Sequence, residues 1–331
     1  MNALVTGGAG FIGRWLTRRL ARRGDRVTVL DDLSTGSAER LAELVAGEPG
    51  VEFVPGSVLD ADLVDSLVRR VDTVFHLAAA VGVKLIVDSP LDSLRTNIRG
   101  TENVLDSAYR HGARVLLAST SEIYGKNPAD GIGEDADRIL GSPQTSRWSY
   151  SEAKAVDESM TDAYVRAGLW AVVARLFNTV GPGQTGRYGM VIPRFVEQAL
   201  RDEPLVVHGD GSQTRCFCYV GDAVDALVDL VDCPAARGLA VNVGRPEEVS
   251  VLELARRVIA LTGSRSDIHF LPYQQVYGDG FEDVPRRVPD ISRARALVGF
   301  RPRMDLDGIL RTVIAEQSAG NLELAGGPHA G

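Results

Sequence analysis

The chain has 331 residues, of which 44% are hydrophobic, and a formal net charge of −8 at pH 7. This length allows one large domain or two small ones, and the hydrophobic content suffices for a buried core. The acidic balance argues against a nucleic-acid partner, because phosphate backbones attract basic surfaces. No apolar run reaches the roughly 18 residues of a membrane span, and we expect no signal peptide. These features predict a cytoplasmic protein without a membrane partner.

Short apolar strands alternate with amphipathic helices through the first half of the chain. Strands are predicted at 2–6, 26–30, 51–54, 73–77, 114–118 and 171–176, and helices at 11–23, 61–70, 93–111 and 151–167. Strands separated by helices form parallel crossover units. The pattern therefore predicts an α/β fold with a Rossmann-type, doubly wound parallel sheet.

The pattern loosens after residue 177. Helices are predicted at 190–201, 222–231, 251–261 and 309–317, a strand at 239–243, and a strand pair at 205–207 and 214–219. We assign residues 1–177, with 217–245 returning to them, to a nucleotide-binding domain. Residues 178–216 and 246–316 are assigned to a smaller C-terminal α/β substrate lobe. Residues 318–331 are predicted to form a disordered tail.

A glycine motif follows the first strand and opens the first helix, which is the context that makes it specific. Gly7 permits the tight turn, Gly10 lets a pyrophosphate approach the backbone, and Gly13 lets the helix pack on the sheet. Asp31 ends the second strand, where a carboxylate can bind both ribose hydroxyls and would repel a 2′-phosphate. The motif therefore predicts NAD as cofactor, in preference to NADP.

Tyr150 and Lys154 lie one helical turn apart, downstream of the glycine motif. A tyrosine with its free pKa near 10 is a poor base at neutral pH. The Lys154 ammonium can stabilise the phenolate and hold the nicotinamide ribose. Tyr150 can then take the proton from an alcohol while its carbon gives a hydride to NAD. The pair predicts an oxidoreductase step.

These motifs, with residues 76–79, 119–125 and 175–178, resemble the extended short-chain dehydrogenase/reductase family, whose members mostly epimerise, dehydrate or decarboxylate nucleotide sugars. The resemblance implies that Thr120 completes a triad with Tyr150 and Lys154. It also implies that helices 93–111 and 151–167 pair across a homodimer. The expected NAD contacts are Gly7, Gly10, Phe11, Ile12, Gly13, Asp31, Asp32, Leu77, Ala78, Ala79, Asn97, Tyr150 and Lys154.

The residues after Thr120 separate the chemistries within that family. Family dehydratases have an Asp where this chain has Ser121, and simple 4-epimerases usually have a small residue where it has Glu122. The Thr-Ser-Glu version looks like the UDP-glucuronate decarboxylases. The segment 277–290 is similar to the decarboxylase segment that carries an active-site arginine, and Arg287 matches that arginine. A charged surface loop is the alternative interpretation of this segment.

The resemblance therefore implies a decarboxylase that oxidises C4 of UDP-glucuronate and uses Glu122 and Arg287 in the loss of CO2. A UDP-sugar 4-epimerase stays open, because the sequence reads Gly183 where relatives often have an arginine. A third possibility is an NAD-sensing regulator, against which the intact Thr120, Tyr150 and Lys154 argue. No metal site is expected from the three cysteines. The expected substrate contacts are Ser121, Asn178, Arg187, Val207, Arg215 and Arg287.

Overall fold

The computed structural model describes residues 1–80, 89–186, 190–277 and 284–325. Its strands are β1 (Asn2–Thr6), β2 (Arg26–Asp31), β3 (Val51–Pro55), β4 (Thr73–His76), β5 (Arg114–Thr120), β6 (Ala171–Leu176), β7 (Thr179–Val180), β8 (Leu205–His208), β9 (Thr214–Cys216), β10 (Cys218–Tyr219), β11 (Ala240–Val243), β12 (Glu248–Ser250) and β13 (Ile268–Leu271). Its α-helices are α1 (Phe11–Arg23), α2 (Ala38–Gly47), α3 (Ala61–Val68), α4 (Pro90–His111), α5 (Ser149–Ala167), α6 (Val191–Leu200), α7 (Val220–Asp232), α8 (Val251–Thr262), α9 (Tyr273–Tyr277), α10 (Ser292–Val298) and α11 (Leu306–Ala325).

The central sheet is parallel and has the order β11-β6-β5-β4-β1-β2-β3. Its strands are apolar runs because helices cover both faces, and residues such as Leu4, Val74 and Leu116 have no exposed surface. The order reverses between β1 and β4, which opens a crevice at the carboxyl ends of these strands. The predicted doubly wound α/β fold is confirmed.

A second hydrophobic core joins helices α6, α8 and α11 to strand β8. Phe195, Leu205, Leu254 and Ile309 are fully buried there. This core belongs to the part of the chain that the sequence assigns to the substrate lobe, although the exact domain boundaries stay a prediction. None of the helices in the described residues combines the length and the hydrophobicity that a membrane span requires.

The predicted pairing of strands 205–207 and 214–219 is wrong. Strand β8 pairs in parallel with β13, β9 pairs antiparallel with β12, and β10 pairs in parallel with β7. Gly209 and Gly211, both with positive φ, redirect the chain between β8 and β9. Such short strands take their partners from distant segments, which local sequence patterns do not reveal.

Helix α11 extends to Ala325, eight residues past the predicted helix end at 317. The expected disordered tail therefore does not begin at Ser318. The glycine and proline residues that suggested disorder lie at 326–328, outside the described residues.

A group of contacts that we call the clasp ties α11 to the first two helices and to the turn after β7. Arg14 Nη2 donates to the Gly183 carbonyl at 3.0 Å, and Gly183 N donates to Glu316 Oε2 at 2.9 Å. The other oxygen of Glu316 lies 3.0 Å from Arg40 Nη1. Burial and the neighbouring Arg40 charge lower the pKa of Arg14 to about 10. The clasp thus ties the last described helix to the nucleotide-binding half of the chain.

Candidate active site

A cleft of about 720 Å³ lies along the carboxyl edge of the central sheet and continues onto the second core. It is large enough for a dinucleotide together with a second ligand. Most of the residues selected from the sequence line it: Gly7, Gly10, Phe11, Ile12, Gly13, Asp31, Asp32, Leu77, Ala78, Ala79, Thr120, Ser121, Glu122, Tyr150, Asn178 and Arg215.

The glycine turn at the N-terminus of α1 leaves no room for side chains. A Cβ atom at Gly7, which has a φ of 74°, would lie 2.7 Å from Ala78 N, and one at Gly13 would lie 2.2 Å from the Gly7 carbonyl oxygen. The turn therefore brings bare backbone and the start of α1 to the cleft, as the phosphates of a dinucleotide require. These residues fit NAD.

Asp31 is fixed at the end of β2 by the backbone around it. Its Oδ2 accepts a hydrogen bond from Ala9 N at 3.0 Å, and its Oδ1 accepts one from Leu33 N at 2.8 Å. Burial raises the pKa of this carboxyl despite the two bonds. The remaining lone pairs face the cleft, where a pair of ribose hydroxyls can donate to them.

Tyr150 lines the cleft, whereas Lys154 lies beneath it and is only 2% exposed. Burial, followed by the charges of Glu122 and Asp157, raises the pKa of the Tyr150 phenol. Lys154 Nζ donates to Asp157 Oδ2 at 3.0 Å. A direct partner of the lysine is thus a buried carboxylate. Sequence analysis missed Asp157, although a position three residues after a helical lysine could have suggested it.

Residues 120–122 line the cleft, and Arg287, which does not line it, contacts them from the buried side of the cleft wall. The Thr120 hydroxyl oxygen accepts from Glu122 N at 3.1 Å and starts a short 3-10 helix, Ser121–Tyr124. Arg287 Nη1 donates to Ser121 Oγ at 3.2 Å and to Glu122 Oε1 at 3.1 Å. The structure therefore brings together two segments separated by 165 residues, and Arg287 is a buried residue instead of part of a charged surface loop.

A second arginine approaches the same carboxylate from the other side. Arg147 Nη2 lies 3.9 Å from Glu122 Oε2, and Arg215 contributes positive charge from further away. Burial alone would raise the pKa of the Glu122 carboxyl, but Arg287 and then Arg147 lower it to about 2. Glu122 is therefore ionised at neutral pH. Three guanidinium groups around one carboxylate leave an excess of positive charge that favours an anionic ligand.

Arg147 was not predicted as a site residue from the sequence. Its position three residues before Tyr150 was the signal that could have suggested it. Its guanidinium also lies 5.7 Å from the centre of the buried Trp148 ring. The side chain is only 9% exposed, and its packing on Trp148 holds the guanidinium at the cleft wall.

The remaining predicted residues have mixed positions. Asn178 Nδ2 donates to the Cys216 carbonyl, and Arg215 Nη1 donates to the Val284 carbonyl, so both are held at the cleft by backbone. Val207 is fully buried in the second core, and its neighbour on β8, His208, lines the cleft instead.

Asn97 holds the loop after β4, since its Oδ1 accepts from Ala80 N at 2.9 Å. It does not line the cleft. Arg187 lies outside the described residues. Within the described residues, no three His, Cys, Asp or Glu side chains are grouped so that they could hold a metal ion.

Comparison with known families matches residues 3–244 to the NAD dependent epimerase/dehydratase family. The chain belongs to this family. Membership agrees with the parallel sheet and with the glycine turn, and it establishes the cofactor as NAD.

Two relatives share most of their length with this member of the family. A UDP-N-acetyl-alpha-D-glucosaminuronate decarboxylase of Bacillus cytotoxicus is 39% identical over 95% of this chain and 96% of its own. UDP-glucuronic acid decarboxylase 1 of Danio rerio is 40% identical over 94% of this chain and 71% of its own. A solved structure of Thermus thermophilus UDP-glucose 4-epimerase in complex with NAD matches 96% of this chain and 98% of its own, with 28% identity and a TM-score of 0.84.

Proposed function

We propose that the protein is an NAD-dependent UDP-glucuronate decarboxylase. The observation that carries this proposal is the placement of Glu122 between Arg287 and Arg147, in the same cleft as Tyr150. An epimerase acting on a neutral sugar has no carboxylate for these arginines to bind. The names of the two decarboxylase relatives support the same chemistry.

The Tyr150 phenolate accepts the proton of the sugar C4 hydroxyl, whose oxygen Thr120 polarises. A bound NAD supplies the hydride acceptor and the positive charge of its nicotinamide ring. Loss of the C4 hydride and of the hydroxyl proton leaves a 4-keto group β to the C5 carboxylate. Lys154 below the cleft provides positive charge that favours the phenolate.

The carbon–carbon bond to the carboxylate then breaks, and its electron pair moves through C5 to the 4-keto oxygen as CO2 leaves. Arg287 and Arg147 bind the carboxylate and orient it out of the ring plane, so that this bond aligns with the carbonyl. Glu122, ionised and fixed by Arg287, orients the arginines and can relay the proton that returns to C5. Return of the hydride to C4 would give UDP-xylose. If the hydride does not return, the product released is the UDP-4-keto-pentose.

The test is incubation of the purified protein with NAD and UDP-glucuronate, with products followed by mass spectrometry. A product lighter by CO2 supports decarboxylation. An isomer of unchanged mass would identify a 4-epimerase instead, which is the alternative that the likeness to the Thermus thermophilus structure keeps in view. A parallel incubation with UDP-N-acetylglucosaminuronate tests whether the group at C2 matters, as the name of the Bacillus cytotoxicus relative suggests.

We also infer a cytoplasmic homodimer. Leu91 and Tyr109 on α4 and Val156 on α5 are large apolar side chains with exposed surface. They extend the two helix faces that the sequence assigned to a subunit interface. Light scattering of the purified protein would measure the mass and decide between dimer and monomer.

A further inference from the structure

The ion pair beneath the active site is almost wholly removed from solvent. Lys154 is 2% exposed and Asp157 0%. Their Nζ–Oδ2 distance is 3.0 Å, the other carboxylate oxygen, Oδ1, has no hydrogen-bond partner among the described residues, and the Thr101 hydroxyl of α4 is close enough to act on the carboxyl electrostatically. Burial disfavours the charged form of a lysine, and a carboxylate at this distance offsets part of that cost. Asp157 is therefore the counterion of the buried Lys154 side chain.

This pair continues into a chain of polar side chains that ends at the cofactor-binding turn. The Thr101 hydroxyl lies 3.1 Å from His76 Nε2, and His76 Nδ1 lies 2.8 Å from Thr6 Oγ1. Thr6 Oγ1 in turn accepts from Ala78 N at 3.2 Å, beside the glycine turn. Such a chain fixes the position of each member, so the lysine has a defined place relative to the cofactor site.

The charges around this unit come from several elements. His76 on β4 is neutral, because burial and the Lys154 ammonium lower its pKa to about 3. Glu158 on α5 forms an ion pair with Arg175, with 2.6 Å between Glu158 Oε2 and Arg175 Nη2. Glu122 faces Tyr150 from the 3-10 helix and is balanced by its arginines.

We propose that Asp157 is a positioning residue for the hydride-transfer step, which anchors the Lys154 ammonium below the cleft and offsets part of its charge at Tyr150. This inference rests on the proposed role of Tyr150 as the proton acceptor. Replacing Asp157 by a neutral residue removes a negative charge from the Tyr150–Lys154 pair. The Tyr150 phenol then loses its proton at a lower pH, because less of the positive charge of Lys154 beneath it is offset.

The test compares Asp157→Asn with Asp157→Glu, which keeps the charge, and with Asp162→Asn, which removes an exposed carboxylate of the same helix that pairs with Arg166. The first readout is the acidic limb of kcat against pH in the decarboxylation assay. We expect this limb to move down by on the order of one pH unit in Asp157→Asn only. Asp157→Ser replaces Asp157→Asn if that variant does not fold.

The second readout needs no turnover. NMR of the cofactor-free protein, labelled at the tyrosine ring ζ carbon and assigned with Tyr150→Phe, follows ionisation of the Tyr150 phenol. Ionisation at a lower pH in Asp157→Asn than in wild type and Asp162→Asn supports the proposal. If Asp157→Asn changes neither the titration of the Tyr150 phenol nor the acidic limb of the kcat–pH profile, and only lowers the melting temperature, the role of Asp157 is merely structural. A wild-type protein without decarboxylation would defeat the proposed function alone, since the NMR comparison would still decide the role of Asp157.

Discussion

Replacing Arg287 by alanine tests the proposed decarboxylation most directly. The substitution removes the donor of two hydrogen bonds, 3.2 Å to Ser121 Oγ and 3.1 Å to Glu122 Oε1. Glu122 then keeps only the Arg147 contact at 3.9 Å. Because the Glu122 side chain is 30% exposed toward the cleft, water can solvate it, and we expect the folded state to lose only about 1–2 kcal/mol.

The effect on catalysis should be larger than the effect on stability. Loss of one preorganised charged donor at the carboxylate corresponds to about 3–4 kcal/mol, or a 100- to 1,000-fold lower kcat/KM for CO2 loss. Arg287→Lys keeps the charge but not the forked geometry, so we expect an intermediate loss of about tenfold. The assay is product mass over time, with circular dichroism melting as the check on folding.

The neighbouring Arg286 provides the matched control. Its guanidinium binds Glu248 and Asp130 at the surface, away from the cleft. Arg286→Ala should therefore decarboxylate at nearly the wild-type rate. A folded Arg287→Ala protein within tenfold of wild type, or an equal loss in Arg286→Ala, would refute the assignment of Arg287 to the reacting carboxylate.

Three further substitutions test other parts of the site. Tyr150→Phe should lower kcat by about 1,000-fold with unchanged NAD affinity by calorimetry, and wild-type turnover would contradict its role. Asp31→Asn should weaken NAD binding by about tenfold and should weaken NADP binding by a smaller factor. Fluorescence titration measures both affinities, and Asp32→Asn, which removes the neighbouring carboxylate, is measured for comparison. The pKa of His76 falls from 6.5 to about 3 on folding, so its contribution to stability is complete above pH 6.5 and is lost as the pH falls toward 3. His76→Gln should flatten the fall in stability between pH 6.5 and 4.5 by up to about 1.4 kcal/mol per pH unit in urea unfolding, and an unchanged slope would contradict this.

The sequence allowed the first domain to be predicted because its signals are local. Strand β1, the glycine turn and α1 follow one another without interruption, and the predicted bounds of β1 and α1 match the structure. Helix α2 was not predicted, although Ser37 caps it by accepting from Arg40 N.

The active site divides in the same way. Tyr150, Thr120 and Glu122 lie in short motifs, so a resemblance could select them. The Asp157 side chain matters because Lys154 turns toward it when both are buried, and burial is a property of the folded chain. Arg147 matters because it reaches Glu122 across the cleft wall. His208 lines the cleft and Val207 does not, because the side of β8 that carries His208 faces the cleft.

The clasp has a consequence for how the protein is made. Glu316 bonds a residue 133 positions earlier, and its other partner, Arg40, lies earlier still. Contacts between such distant segments form late, because the intervening loop must first be closed. On the ribosome, the nucleotide-binding half can therefore fold well before α11 emerges. The bonds from Glu316 to Gly183 and Arg40 can form only after residue 316 has left the ribosome, so the two halves are joined at this point after the first has folded.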